Sequence, residues 1–173
     1  MLRPKSAMAY IEDIEQISSA LLDLIEDSLD DNREVDDLLE HVNKFALESI
    51  VIIFLDKRLG CLQKNLPENS DAVKFINAVK VMTGKDGNDL FHGLPLWKIY
   101  PTGPFKRFDK ASIEVNNISK KYVEAAIEEL KNSKVTNYED MSVLQRLIQR
   151  CGPGSQIPLG IFVRVTMYFI IEN

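Results

Sequence analysis

Cysteine and histidine are scarce in this chain of 173 residues, and their positions exclude several kinds of chemistry. The two cysteines, Cys61 and Cys151, lie far apart and form no motif, which is typical of a reducing compartment such as the cytosol or the mitochondrial matrix. The two histidines, His41 and His92, have no second ligand at helical or turn spacing. We therefore expect no metal site.

Long apolar runs and concentrated positive charge are also missing. No apolar stretch reaches the roughly 18 residues of a membrane-spanning helix, and Arg164 interrupts the longest one, residues 157–171. We also expect no targeting segment in this chain, because no signal or presequence pattern precedes the first predicted helix. Residues 1–40 carry 12 acidic and 3 basic side chains, whereas a nucleic-acid-binding protein needs a concentrated basic face.

Apolar residues repeat with the helical period over much of the sequence. Apolar residues recur at steps of three and four over residues 11–29, which predicts a first amphipathic helix. The same period runs through the β-branched residues 50–53 and predicts a second helix over residues 35–58. Gly60 is expected to adopt the left-handed conformation that ends this second helix.

Three further helices are predicted, over residues 71–82, 104–132 and 138–151. Asp71 can cap the first of these, and Pro104 suits the first residue of the second. The glycine-rich, polar residues 84–89 are expected to break the chain between them. The fold class is therefore all-α, with about five helices.

An apolar loop, residues 94–100 (LPLWKIY), contains the only tryptophan, Trp97. The basic residues near it are Lys98, Lys106, Arg107 and Lys110. Aromatic and aliphatic groups beside cations are typical of a contact with a membrane surface. Burial of the loop beneath the long helix accounts for the residues equally well, so both interpretations stay open at this point.

Several strings in this chain resemble the middle of a mitochondrial-type cytochrome P450, a haem-thiolate monooxygenase, notably its insect members. Residues 45–62 contain the words ALES and DKRLGCL, residues 93–108 read GLPLWKIYPTGPFKRF, and residues 142–150 read SVLQRLIQR. They occur in the order of the family's third to eighth helices. The resemblance implies a partial cytochrome P450 fold in a single helical domain, residues 1–158, followed by a divergent apolar tail, residues 159–173.

The resemblance implies a function and a place for it. The parent family binds haem and iron, takes electrons from a ferredoxin-type donor and hydroxylates lipophilic substrates such as steroids or xenobiotics with O2. Its mitochondrial members lie on the matrix side of the inner membrane. Their sixth and seventh helices, with the loop between them, roof the substrate pocket and contact the membrane. By this resemblance, the roof or membrane-contact residues here are Leu90, Phe91, Leu94, Leu96 and Trp97.

The motifs that carry the family's chemistry do not occur in this sequence. The sequence lacks the W-x-x-x-R haem contact, the A-G-x-D-T-T run, the E-x-x-R pair and the cysteine loop. The glycine and arginine near Cys61 stand at the wrong offsets for that loop. We therefore expect no catalytic residue, no metal ligand and no haem bound by this chain alone, and interpret it as a fragment of a monooxygenase. The alternative is a standalone all-α protein that binds a partner or a lipid surface without catalysis.

Overall fold

The structure is a computed structural model, and it describes residues 8–92, 98–132 and 141–151, without the side chains of residues 91, 92 and 151. Within these ranges it contains helices and no strand, which confirms the all-α class and agrees with a partial cytochrome P450-like arrangement. The helices are α1 (Ile11–Asp27), α2 (Leu38–Leu55), α3 (Asp71–Thr83), α4 (Lys85–His92), α5 (Gly103–Asn132) and α6 (Val143–Cys151). No helix among the described residues is both long and apolar enough to cross a membrane.

Helix α4 corrects one expectation, because it occupies the segment that the glycine-rich composition marked as a break. The chain turns at Gly84 and immediately starts a new helix at Lys85. Gly87 permits this because a Cβ atom there would collide with the backbone carbonyl of Met82. The glycine therefore allows α4 to lie close against the end of α3.

The end of α2 also differs from the prediction. The helix ends at Leu55, and Asp56 adopts the left-handed conformation with φ of 56° and donates its N–H to the Ile52 carbonyl. Gly60 does have a positive φ of 79°, but it lies in the following turn. Sequence reasoning placed the left-handed residue at glycine, where it costs least, and missed that aspartate tolerates it as well.

Side-chain caps begin α3 and α6. Ser70, and not the predicted Asp71, caps α3 by accepting the Val73 N–H at 3.2 Å. At the start of α6 the Ser142 hydroxyl accepts the Gln145 N–H at 3.1 Å and the Gln145 side chain accepts the Ser142 N–H at 3.1 Å. This reciprocal pair is a capping box, and the earlier part of the predicted last helix lies outside the described residues.

The main core forms where α3 lies along α5, with α2 and α6 closing its sides. Phe75 of α3, Val51 and Leu55 of α2, Val115 of α5 and Leu144 of α6 are all at most 2% exposed. Burying each such side chain contributes about 1.5–3 kcal/mol relative to leaving it in water. A smaller cluster of Ile17, Ile52 and Leu62 attaches α1 to α2.

The first and last described helices meet at one junction. Tyr10, just before α1, accepts the backbone N–H of Val143 at 3.1 Å through its hydroxyl. Burial raises the pKa of Tyr10. Burial also raises the pKa of Asp56, which lies at the same junction, where a hydrogen bond with Ser142 opposes the effect. The hydrogen bond between Val143 and Tyr10 joins residues 133 positions apart in the sequence.

Candidate functional site

The structure reaches only part of the predicted roof. Leu90 lies in α4 with its side chain half-buried, and Phe91 belongs to the same helix, but its side chain is not among those described. Leu94, Leu96 and Trp97 lie outside the described residues. Their common surface therefore stays a prediction, whereas the helices on both sides of the loop have definite positions.

Two ion pairs tie α5 to α4 and α3. The Arg107 guanidinium of α5 donates to both carboxylate oxygens of Asp86 in α4, at 2.7 Å and 2.6 Å. This bidentate pair lowers the pKa of Asp86, as a fork of donors facing a carboxylate should. Lys121 of α5 donates to Asp71 at the start of α3 at 2.6 Å. The Asp86–Arg107 pair thus ties together the helices that precede and follow residues 93–97 in the sequence.

Exposed apolar and basic side chains occur between the loop and the first turns of α5. Ile99 is 89% exposed and Tyr100 is 69% exposed, directly after the loop. On the first turns of α5, Lys106, Lys110 and the 52% exposed Ile113 follow at steps of four and three, so they share one face. We call Ile99, Tyr100, Lys106, Lys110 and Ile113 the cationic apolar surface.

Glu48 is a buried carboxylate that the sequence analysis did not identify. Its side chain is completely buried in α2. One carboxylate oxygen accepts the Gly60 N–H at 2.9 Å and the Arg58 Nε–H at 3.3 Å, and the other accepts the Cys61 N–H at 2.9 Å. A buried carboxylate needs this saturation by donors, because an unpaired charge in the interior is very costly.

The arrangement of Glu48 fixes the turn that follows α2. It binds two consecutive backbone amides and the side chain of Arg58, all within 13 positions of itself. The sequence carries a signal for it, since Glu48 falls on the same helical stripe as Val51 and Leu55. An acidic residue on a buried stripe indicates a backbone donor pair nearby, although the sequence alone does not say which one.

Cys61 does not fit the role of a haem ligand. Its side chain is fully buried. Burial, together with the neighbouring Glu48 carboxylate, raises the pKa of its thiol strongly, which favours the neutral form, whereas an axial haem ligand is a thiolate. Across the described ranges, no group of three or more histidine, cysteine, aspartate or glutamate side chains is placed to hold a metal ion. His41 is half-buried, and the side chains of His92 and Cys151 are not described.

A groove lies between α2 and α3. It has a volume of about 560 Å³ and is walled by apolar residues of both helices, among them Leu47, Ile50, Ile76 and Val79. Glu40 bridges its rim by binding Lys44 at 2.9 Å and Lys80 at 3.1 Å. Leu39, which also lines the groove, is 69% exposed, and Leu38 and Val42 of the same helix are 50% and 42% exposed. We call this feature the α2–α3 groove.

Comparison with known proteins finds similarity to cytochrome P450 over most of the chain. The family model described as Cytochrome P450 matches residues 1–156. The chain is 32% identical over 159 residues to "Probable cytochrome P450 49a1" of Drosophila melanogaster, which covers 88% of this chain and 26% of that protein. It is 31% identical over 132 residues to "Probable cytochrome P450 301a1, mitochondrial" of the same species, covering 76% and 24%. It is 30% identical over 177 residues to "Sterol 26-hydroxylase, mitochondrial" of Mus musculus, covering 100% and 29%. The chain thus spans about a quarter of the length of these relatives.

Proposed function

Because this chain belongs to the cytochrome P450 family, we propose that it is the roof-bearing part of a mitochondrial-type monooxygenase. The observation that carries this proposal is the family match over residues 1–156, which includes the predicted roof loop and the helices α4 and α5 that precede and follow it in the sequence. The parent enzyme inserts oxygen from O2 into a lipophilic substrate, with electrons from a ferredoxin-type donor. Relatives named mitochondrial support a mitochondrial location for the parent family.

The chemistry comes from residues beyond this chain. The family's thiolate loop is not in the sequence, and the buried, neutral Cys61 does not replace it. This chain instead contributes the lining that excludes water above the reacting centre. The proposed lining residues are Leu90, Phe91, Leu94, Leu96 and Trp97, which offer only apolar and aromatic surface apart from the indole N–H.

An apolar roof favours a substrate of sterol-like size and polarity. Two relatives are named for substrates of this class, "Sterol 26-hydroxylase, mitochondrial" and "1,25-dihydroxyvitamin D(3) 24-hydroxylase, mitochondrial". Each buried CH2 group of such a substrate contributes about 0.8 kcal/mol to binding. A hydroxylated sterol or a similarly lipophilic xenobiotic is therefore the product class that we propose for the parent enzyme.

The test begins with the transcript across the codon of Asn173. If the reading frame continues into the family's oxygen-activating helix and cysteine loop, the longer protein should bind haem and give a thiolate-type absorption band with carbon monoxide. Replacing Leu96 with alanine should then weaken sterol binding, whereas Leu22→Ala, an exposed position on α1, should not. A longer protein that binds haem but no lipophilic ligand would contradict the roof assignment.

A second function is favoured by the cationic apolar surface, namely contact with an anionic membrane surface by this chain, with or without catalysis. Ile99 and Tyr100 supply exposed apolar area a few residues before the α5 stripe of Lys106, Lys110 and Ile113. A lysine near an anionic bilayer contributes about 1 kcal/mol. Removing the charges of Lys106 and Lys110 should therefore weaken binding roughly 30-fold.

Trp97 makes this measurement direct, because it is the only tryptophan in the chain. Its fluorescence should shift to shorter wavelength with vesicles of phosphatidylcholine and phosphatidylglycerol, and much less with phosphatidylcholine alone. The variant Lys106→Gln/Lys110→Gln should lose most of the shift. The matched control Lys120→Gln/Lys131→Gln changes two exposed lysines farther along the same helix and should retain it. Equal losses in both variants would rule out a localised surface.

A further inference from the structure

Helix α1 carries an acidic face on its outer side. The helix contains six acidic side chains and no basic one, and its inner side packs on α2 through Ile17. Four exposed side chains recur at helical spacing on the outer side: Ile11, Glu15, Leu22 and Glu26. At roughly 100° per residue these positions fall within an arc of about 60°, so they form one stripe about 22 Å long. We call these four residues the acidic apolar stripe.

The charges of this stripe are not neutralised by the described part of the chain. Asp27 at the end of α1 binds Lys64 at 2.9 Å, but Glu15 and Glu26 have no ion-pair partner among the described residues. The lysines of the cationic apolar surface likewise have no carboxylate partner within the described ranges. Two exposed surfaces of opposite charge are therefore available for contacts with another molecule.

The two surfaces also share the order of their side chains. In the stripe, the exposed Ile11 and Leu22, at 56% and 65% exposure, stand on either side of Glu15. In the cationic apolar surface, exposed apolar residues stand before and after Lys106 and Lys110 in the sequence. When the surfaces pair, carboxylates meet ammonium groups and apolar side chains meet apolar side chains. Such matching of charge and apolar area is typical of specific protein–protein contacts.

We propose that the acidic apolar stripe binds the cationic apolar surface of a second copy of this chain. Both surfaces are exposed within one chain, so they do not cover each other, and the contact forms between copies. Because the two surfaces differ, the interface is heterologous and can continue from copy to copy. Single helix faces bury less than the roughly 1,000 Å² of a stable interface, so the association is weak. Its charged part makes it sensitive to salt.

This inference does not depend on either proposed function, although it shares Lys106 and Lys110 with the proposed membrane contact. The α1 side of the interface separates the two, because the membrane contact makes no use of Glu15 or Glu26. A chain with altered α1 charges should therefore lose self-association and still bind anionic vesicles.

A charge-swap experiment on the full chain, followed by sedimentation velocity, tests the contact. The unaltered chain should associate with rising concentration at low salt and dissociate in about 1 M salt, where the Debye length is about 3 Å. The stripe variant Glu15→Lys/Glu26→Lys and the surface variant Lys106→Glu/Lys110→Glu should each associate at least tenfold more weakly, because like charges then face each other. An equimolar mixture of the two variants should regain association, since each surface again meets the opposite charge.

Matched controls change the net charge equally at exposed positions elsewhere. Asp31 and Asp36 lie between α1 and α2, and Lys120 and Lys131 lie farther along α5. The controls Asp31→Lys/Asp36→Lys and Lys120→Glu/Lys131→Glu should associate like the unaltered chain. Equal losses in the controls would reduce the effect to net charge and overturn the proposal.

Three other results would also overturn it. The unaltered chain could stay monomeric at every concentration, or the mixture of variants could fail to regain association. Loss of association in the stripe variant alone would assign the stripe to a different surface. With the vesicles described above, the stripe variant should keep the Trp97 fluorescence shift, which supports a self-association contact separate from the membrane contact.

Discussion

Replacing Glu48 with glutamine tests whether a buried carboxylate holds the turn after α2. Glutamine has nearly the same shape, so the change creates no cavity. It keeps one acceptor oxygen and replaces the other with an NH2 donor. Because Gly60 and Cys61 both direct backbone N–H groups at the carboxylate, at 2.9 Å each, one of these donors must lose its acceptor. Glutamine also removes the charge from every remaining hydrogen bond.

The expected cost follows from these two losses. Leaving one buried amide without an acceptor costs about 1–3 kcal/mol, and losing charge assistance in the other bonds costs about 1 kcal/mol. We therefore expect the free energy of unfolding to fall by about 3 kcal/mol. For a chain of this size the melting temperature should fall by roughly 6–12 °C. The side chain of Glu48 has no exposure to solvent, so water cannot supply the missing acceptor without opening the turn.

Urea unfolding followed by circular dichroism measures the change, with Glu40→Gln as the matched control. Glu40 lies in the same helix and binds both Lys44 and Lys80, but its side chain is 34% exposed. Exposed ion pairs contribute only about 0–1 kcal/mol, so the control should lose no more than about 1 kcal/mol. If the two variants are destabilised equally, the turn does not depend on Glu48 and the argument fails.

Three further predictions address other contacts. The Cys61 thiol should react slowly with maleimide in the native chain, because burial raises its pKa and blocks access, and it should react quickly after denaturation. Peptide mapping by mass spectrometry distinguishes its labelling from that of Cys151. Fast labelling of Cys61 in the native chain would contradict the burial. Tyr10→Phe removes the acceptor of the Val143 N–H. It should lower the free energy of unfolding by about 1 kcal/mol and speed hydrogen exchange at the start of α6. The control Tyr100→Phe, at a 69% exposed position, should change neither the free energy of unfolding nor the exchange rate. By nuclear magnetic resonance, the Asp86 carboxyl should titrate below its ordinary pKa of 3.8, and its pKa should return toward that value in Arg107→Gln. The stabilisation from this pair is complete above the ordinary pKa and is lost as pH falls through the lowered pKa. An unchanged titration in the variant would refute the pairing.

Most of the helices could be predicted from the sequence, because their apolar residues repeat with the helical period. The prediction over residues 104–132 agrees with α5 within one residue, and that over residues 71–82 agrees equally well with α3. The short α4 was missed because glycine and polar residues favour a break when only local propensity is considered. In the structure, its packing on α3 and α5 and the Asp86–Arg107 pair stabilise it.

The candidate site was only partly predictable. The roof residues came from a resemblance, and only Leu90 among them has a described side chain, which is half-buried. The role of Glu48 could not be derived from the sequence, since its partners Gly60 and Cys61 are recognised only once the turn brings their amides back to α2. That Cys61 stands outside a haem-ligand motif was readable from the spacing of its neighbours, whereas its complete burial is known only from the structure.

The sequence by itself determined the family, the all-helical class and the positions of the long helices, because these depend on local periodicity and on words that lie close together in the chain. Only the tertiary structure decided which polar groups are buried and which distant groups pair. Tyr10 and Val143 are 133 positions apart, and Lys121 and Asp71 are 50 apart. Such pairs form because helix packing brings distant donors and acceptors within about 3 Å, a relation that no local pattern encodes.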